Sequence, residues 1–179
     1  MSHELSPKLA RRVVTGVSST DRSTIVADED VARWTTRPTG VVVMDVWSVA
    51  SAPPSIEDES VPIGELIPPP TGGGVAVRIA VFPPEREIDA SRVEAYEAAL
   101  NELYGEQGDA SSDVPGMHRT ETVDVATVIE GEIWAVFEEG ETLLRTGDCL
   151  VQRGTRHAWK NRSDRPCTLV STMLAGLRS

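Results

Sequence analysis

From Thr122 to Leu174 the chain is a succession of short apolar runs, each closed by a turn that carries glycine or proline. Thr122–Ile129 stops at Glu130-Gly131. Ile133–Phe137 and Thr142–Leu144 flank Glu138-Glu139-Gly140-Glu141, a hairpin pattern with glycine at the bend. Thr146-Gly147-Asp148 turns into Cys149–Gln152, Arg153-Gly154-Thr155 turns into His157–Lys160, and Cys167–Leu174 follows the polar stretch 161–166. Runs this short cannot bury a helix face, and their β-branched and aromatic residues suit a pleated surface. Many short strands at regular spacing imply an antiparallel sandwich or barrel. The all-β reading therefore leaves two architectures, a jelly-roll barrel and an immunoglobulin-like sandwich.

Upstream the same alternation predicts strands at Arg12–Thr15, Ser23–Ala27, Gly40–Trp47 and Val75–Phe82. Residues 1–10 read as a flexible tail and 11–179 as a single domain, with a long loop over 48–74. That loop carries Pro53-Pro54, Pro68-Pro69-Pro70 and Gly72-Gly73-Gly74, which remove ladder donors and loosen the chain. One segment departs from the strand rhythm. Ser91 and Glu94 have capping-box spacing, Val93, Tyr96, Leu100 and Leu103 recur at helical spacing, and Gly105 supplies a stop. This predicts a peripheral helix over 91–104, its apolar stripe against the outside of the sheet.

The net charge of −11 argues against a nucleic-acid backbone or an anionic membrane surface as partner, since both call for a basic patch. No apolar run approaches the roughly 20 residues of a membrane span. The two cysteines, Cys149 and Cys167, fall in predicted strands and read as buried free thiols of a cytoplasmic protein.

The candidate chemistry lies in the same C-terminal third, which holds two of the three histidines. His118, Thr120 and Asp124 share strand parity, so they face one side. A straight strand would hold His118 and Asp124 about 20 Å apart, so they can serve one site only if the chain bends between Thr120 and Asp124. His157 would complete a set of two imidazoles and a carboxylate. Gln152 and Trp159 stand near it in the sequence as pocket candidates. Gly131, Gly147 and Gly154 read as turn residues and Asn161 as a backbone-bonding turn residue. Arg78, on the polar face of its strand, is a candidate for meeting an anionic substrate.

These residues resemble the two motifs of the cupins, double-stranded β-helix barrels of the jelly-roll type. His118, Thr120, Asp124 and Gly131 follow the first motif, with threonine where the family has its second histidine and aspartate where it has glutamate. Gly147, Gly154, His157 and Asn161 stand in the order of the second, with Gln152 where the family carries proline. The resemblance covers residues 116–175, and N-terminal strands would complete the barrel. It implies a small-molecule enzyme acting on an organic acid or natural-product intermediate by isomerase, dehydratase, decarboxylase or dioxygenase chemistry. It also implies a divalent metal (Fe, Mn, Ni or Zn) on His118, Asp124 and His157, weakened or lost through the two substitutions, with Thr120 as a supporting residue. Without metal, His118 and His157 become the acid and base. The alternative is a non-catalytic small-molecule-binding or sensor cupin that has lost metal. A homodimer is the assembly that the resemblance implies.

Overall fold

The computed structural model describes residues 8–56, 69–104 and 113–177. The start of the tail, the middle of the 48–74 loop, the helix stop at Gly105 and most of the polar segment after it lie outside the described residues.

Among the described residues, eleven strands and one α-helix follow one another as β1 (Arg11–Val17), β2 (Ser23–Asp30), β3 (Trp34–Thr36), β4 (Val42–Val49), β5 (Val75–Phe82), α1 (Ala90–Tyr104), β6 (Thr122–Glu130), β7 (Glu132–Phe137), β8 (Gly140–Arg145), β9 (Cys149–Arg153), β10 (Ala158–Lys160) and β11 (Cys167–Ala175), with a 3-10 turn at Glu85–Glu87 before α1. Six strands form the main sheet in the order β3-β4-β5-β11-β6-β9, and three form a second in the order β10-β7-β8. All pairings are antiparallel. β1 and β2 pair only with each other, a ribbon beside the barrel with Val13, Val17, Ile25 and Val26 exposed. The fold is all-β and consistent with a jelly-roll barrel, with extra N-terminal strands and one peripheral helix.

Between the two sheets lies the main core of Val128, Ile133, Ala135, Leu144, Cys167 and Leu169. Ile133 and Val128 are fully buried and Leu169 nearly so, and burying each contributes roughly 1.5–3 kcal/mol. Met117, Val136 and Ala158 make a separate apolar cluster, and Val31, Val42 and Met44 another.

The inward face of β6 changes character along its length. Ala126 and Val128 point into the barrel as expected of a core strand, but Thr122 and Asp124 are also buried while Val123 and Val125 are exposed. Strand parity thus places polar groups inside and valines outside over the first half of β6. An apolar core needs the reverse, so this end of the barrel is a cavity, not packing.

The helix begins one residue earlier than its pattern predicts, and its cap differs. Asp89 accepts from the Arg92 amide at 3.0 Å and from the Ser91 hydroxyl at 2.6 Å. Asp89 is therefore the N-cap, and Ser91 is inside the first turn. Val93 and Tyr96 are half-buried and Leu100 buried, as the stripe requires. Tyr96 and Leu100 line the barrel's cavity. The helix is peripheral, but its apolar stripe faces the open end of the barrel and not the outer face of a sheet.

Cys149 is a second correction. It is exposed on β9 beside the Thr127 hydroxyl, and only Cys167 is buried; both are free thiols. The buried Cys167 thiol is pushed up to about 12, first by desolvation and then by Glu130 and Glu132.

Candidate active site

A cavity of about 120 Å³ opens inside the polar end of the barrel. His118, Thr120, Asp124, Gln152, His157 and Trp159, all singled out by their sequence positions, line it together. The bend that joins them is the loop before β6. His118 precedes it, and exchanges two backbone hydrogen bonds with His157 as an isolated bridge, at 3.0 and 2.9 Å. That bridge sets the two rings side by side, with centroids 4.6 Å apart and planes at 46°.

A backbone carbonyl sets the tautomer of His118. His118 Nδ1 lies 2.9 Å from the Gly116 carbonyl, which can only accept, so Nδ1 carries the proton. Around His157, the Gln152 amide donates to the Thr155 carbonyl (2.6 Å) and hydroxyl (2.7 Å). His157 Nδ1 stands between that carbonyl, at 3.1 Å, and the Gln152 amide nitrogen, at 3.0 Å, so it donates to the first or accepts from the second. On His118, Nε2 is then the nitrogen that carries the lone pair. Gln152 is buried, and its amide ties Thr155 to β9 beside the His157 ring.

Both rings stay neutral. Desolvation lowers His118; its bond to Gly116 opposes this, and the charge of Arg37 adds to the lowering. Desolvation, with His118 as neighbour, lowers His157 to about 3. Asp124 moves the other way. Burial raises it to about 6, against the Thr122 hydroxyl and the Arg78 charge, which favour the carboxylate. Its Oδ1 is buried without a hydrogen-bond partner. Thr120 bonds Thr122 through their hydroxyls at 2.7 Å, so a short polar chain runs from Thr120 to Asp124.

Trp159 meets His157 edge-on at 5.8 Å and Phe82 at 6.4 Å, forming an aromatic wall. Asn161 donates to the Phe82 and Arg165 carbonyls and accepts from Ser163, tying its turn to β5. Gly131, Gly147 and Gly154 all have positive φ.

Other residues of the site have little local sequence signal. Arg78 lines the cavity, and its Nε donates to Asp45 Oδ1 at 2.6 Å on neighbouring β4. Arg33 Nε reaches the other Asp45 oxygen at 3.5 Å, so one carboxylate stands between two guanidinium groups, all three buried. Arg37, in the turn between β3 and β4, brings a further positive charge to the cavity. The alternation of β4 and β5 marks Asp45 and Arg78 as polar positions in apolar strands, which is the one clue to them. Arg37 and the helix residues Tyr96 and Leu100 reach the site through tertiary packing alone.

For a divalent metal the donors suit in kind: two imidazoles held toward the neutral form and a buried carboxylate oxygen. In placement they do not. Among the described residues no group of three or more His, Cys, Asp and Glu side chains could hold a metal ion. The expected trio of His118, Asp124 and His157 shares a cavity without converging on one point.

Residues 106–173 match a family model described as a Cupin domain. Protein C′ of the phomopsin biosynthesis cluster of Diaporthe leptostromiformis is 54% identical over 48 residues, 26% of this chain and 25% of that protein. A cupin-domain-containing oxidoreductase of Neurospora crassa is 40% identical over 60 residues, 32% of this chain and 31% of that one. The matches thus span about a quarter to a third of these relatives' length. Among solved structures, a Cupin 2 conserved barrel domain protein from Salinispora arenicola superposes with a TM-score of 0.44 at 11% identity, over 83% of this chain and 86% of that one. Among the described residues no helix is long and apolar enough to cross a membrane.

Proposed function

We propose that the chain is a cupin-type conserved-barrel protein and a small-molecule enzyme whose cavity moves a proton on a bound organic acid or natural-product intermediate. The observation that carries this reading is Asp124. It is a carboxylate in a cavity lined by two imidazoles, and one of its oxygens has no hydrogen-bond partner. A buried polar atom left unpaired costs folding free energy, and such atoms in a native cavity point to a ligand or a catalytic role.

The roles follow from the protonation states. Asp124 takes or returns the proton, because burial brings it to about 6, close to neutral pH. Desolvation holds both imidazoles toward the neutral form, so in this reading His118 and His157 orient a polar group of the bound molecule by hydrogen bonding. Trp159 and Phe82 supply an apolar wall. The names of the relatives, one from a biosynthesis cluster and one an oxidoreductase, support chemistry on small metabolites.

Deuterium incorporation into small oxo acids such as pyruvate, followed by proton NMR in heavy water, tests the reading. The wild type is expected to accelerate exchange, and Asp124→Asn to lose about 10²–10⁴-fold of it. Binding without any exchange, unaffected by Asp124→Asn, would instead make the barrel a binding or sensor module.

A second reading keeps a metal cofactor, favoured by the two adjacent imidazoles and the unpartnered Asp124 oxygen. His118 and His157 would hold the ion, with Asp124 turning toward them. Elemental analysis of untagged protein prepared without chelator, beside His118→Ala and His157→Ala, tests it. About one ion per chain, lost in both variants, supports that reading. Negligible metal, with no rise in melting temperature on adding Fe(II), Mn, Ni or Zn, refutes it. A homodimer remains part of the proposal, and sedimentation tests it.

A further inference from the structure

We infer that a second pocket, beside the histidine cavity, seats a phenolic ring, with the Thr39 hydroxyl as its hydrogen-bond partner. The site is distinct from the proton transfer proposed above and adds a binding specificity that the chemistry does not require.

The pocket lies where the turn between β3 and β4, the segment after β5, the start of α1 and β10 meet, and its volume is about 100 Å³. Val41, Phe82, Tyr96 and Trp159 line both this pocket and the histidine cavity, so the two spaces adjoin. Thr39, Ile88 and Val93 line this pocket and not the cavity. Phe82, Pro83, Ile88, Val93, Tyr96 and Trp159 are all half-buried. Side chains of this kind bury one another when they close into a core; here they converge on a space and leave it unfilled.

Most polar groups of the lining have partners. Lys160 pairs with Glu85 at 3.2 Å, so the charges of the pocket cancel. The Asn161 amide donates to the Phe82 and Arg165 carbonyls, and its oxygen accepts from Ser163. Thr39 differs. Turn residues stand at the surface as a rule, yet Thr39 is only 6% exposed, and its hydroxyl has no hydrogen-bond partner among the described residues. The turn packs inward on Pro83, whose Cγ is 3.5 Å from where a Gly40 Cβ would stand. A hydroxyl buried without a partner costs free energy, and a ligand that bonds to it recovers that loss. Such a ligand is uncharged, carries one hydrogen-bonding group, and offers a flat apolar body to Phe82 and Trp159. Size agrees: about 150 Å³ of enclosed apolar cavity holds a whole benzene ring, and a half-buried lining needs to cover only part of one.

Phenol and toluene, which differ by a hydroxyl for a methyl, are the probes, titrated at millimolar concentration and followed by NMR. Shift changes are expected to centre on Thr39, Ile88 and Val93. Thr39→Val keeps the shape and removes the hydroxyl. It is expected to weaken phenol about fivefold and leave toluene unchanged. It should also hold or raise the melting temperature of the free protein, because the hydroxyl has no partner to lose. Val93→Phe fills the pocket and should abolish binding of both rings. Benzoate should bind more weakly than phenol, since Lys160 is already paired. Phenol indifferent to Thr39→Val, with the melting temperature lowered or not, would overturn the part given to the hydroxyl, and benzoate tighter than phenol would overturn the uncharged class. No binding of either ring, binding that survives Val93→Phe, or shift changes centred on Ala126 and Gln152 of the histidine cavity, would overturn the site. Asp124→Asn separates this from the proposed function, because it should still bind phenol. Exchange absent with phenol bound counts against the chemistry alone, and exchange present without phenol binding counts against this pocket alone.

Discussion

Replacing Gly131 by alanine should destabilise the barrel much more than replacing Gly147, although both glycines close turns and both have positive φ. Gly147 has φ of 95° and a Cβ built there meets nothing within 4 Å. Its substitution carries only the backbone strain of an L-residue at positive φ, about 1–2 kcal/mol. Gly131, with φ of 77°, carries the same strain and a collision. Its Cβ would stand 2.6 Å from the Pro166 carbonyl oxygen and 3.1 Å from the Cys167 Cα. These are backbone atoms that cannot swing away, and Cys167 begins β11 with its side chain fully buried in the main core. Forcing them apart adds a further 1–3 kcal/mol or so, as overpacking does elsewhere. The expected totals are about 2–5 kcal/mol for Gly131→Ala and about 1–2 for Gly147→Ala. Urea denaturation of both variants beside the wild type reads the difference in midpoint, provided the slope is unchanged. In a melt, each kcal/mol corresponds to about 2–4 °C for a chain of this size. Equal losses in the two variants would show that the close approach at Pro166 does not constrain the turn, and the reasoning would fail.

Asp124 should make stability pH-dependent with a definite sign. Its folded-state value of about 6 lies above the ordinary 3.8, so the native state binds the proton more tightly. The stabilisation is present below about pH 4 and is lost as pH rises through about 6. Asp124→Asn removes that loss, so relative to wild type it should gain up to about 3 kcal/mol between pH 4 and pH 7; urea midpoints that shift in parallel would refute it. Asp45→Asn, which strips the carboxylate from between Arg33 and Arg78, should cost about 3–5 kcal/mol in the same assay. Combining it with Arg78→Met should recover part of that loss; a double variant less stable than the single would sink the account.

The strands of the C-terminal third were legible because each is a short apolar run ended by a residue that a turn needs. Gly131 and Gly147 mark such ends, and the helix announced itself through Val93, Tyr96 and Leu100. What the sequence left hidden was non-local. Asp89 and Ser91 are both good cap residues, and only the loop's path into the helix selects Asp89. The same stripe fits an outer sheet face or a barrel mouth, so Tyr96 and Leu100 could be paired with His118 only in three dimensions. The candidate site was legible as a set of residues, since the spacing of His118, Asp124 and His157 brought them to one cavity. Their separation within it was not, because convergence depends on side-chain direction after a bend. Arg37 shows the same limit, a turn residue with no pattern of its own.

The place of β11 in the main sheet has a consequence for how the molecule comes into being. β11 lies between β5 and β6 and hydrogen-bonds to both, with partners in β5 about half the chain away. It is made after both neighbours, so on a ribosome β3-β4-β5 and β6-β9 must wait as two half-sheets with open edges. Closure of such distant partners is slow, and unpaired edges invite association with other chains in the interval. Folding should therefore be late and concerted, with the cavity absent until β11 docks. A nascent chain halted just before Cys167 should resist neither protease nor aggregation, even though both histidines and Asp124 have already been synthesised.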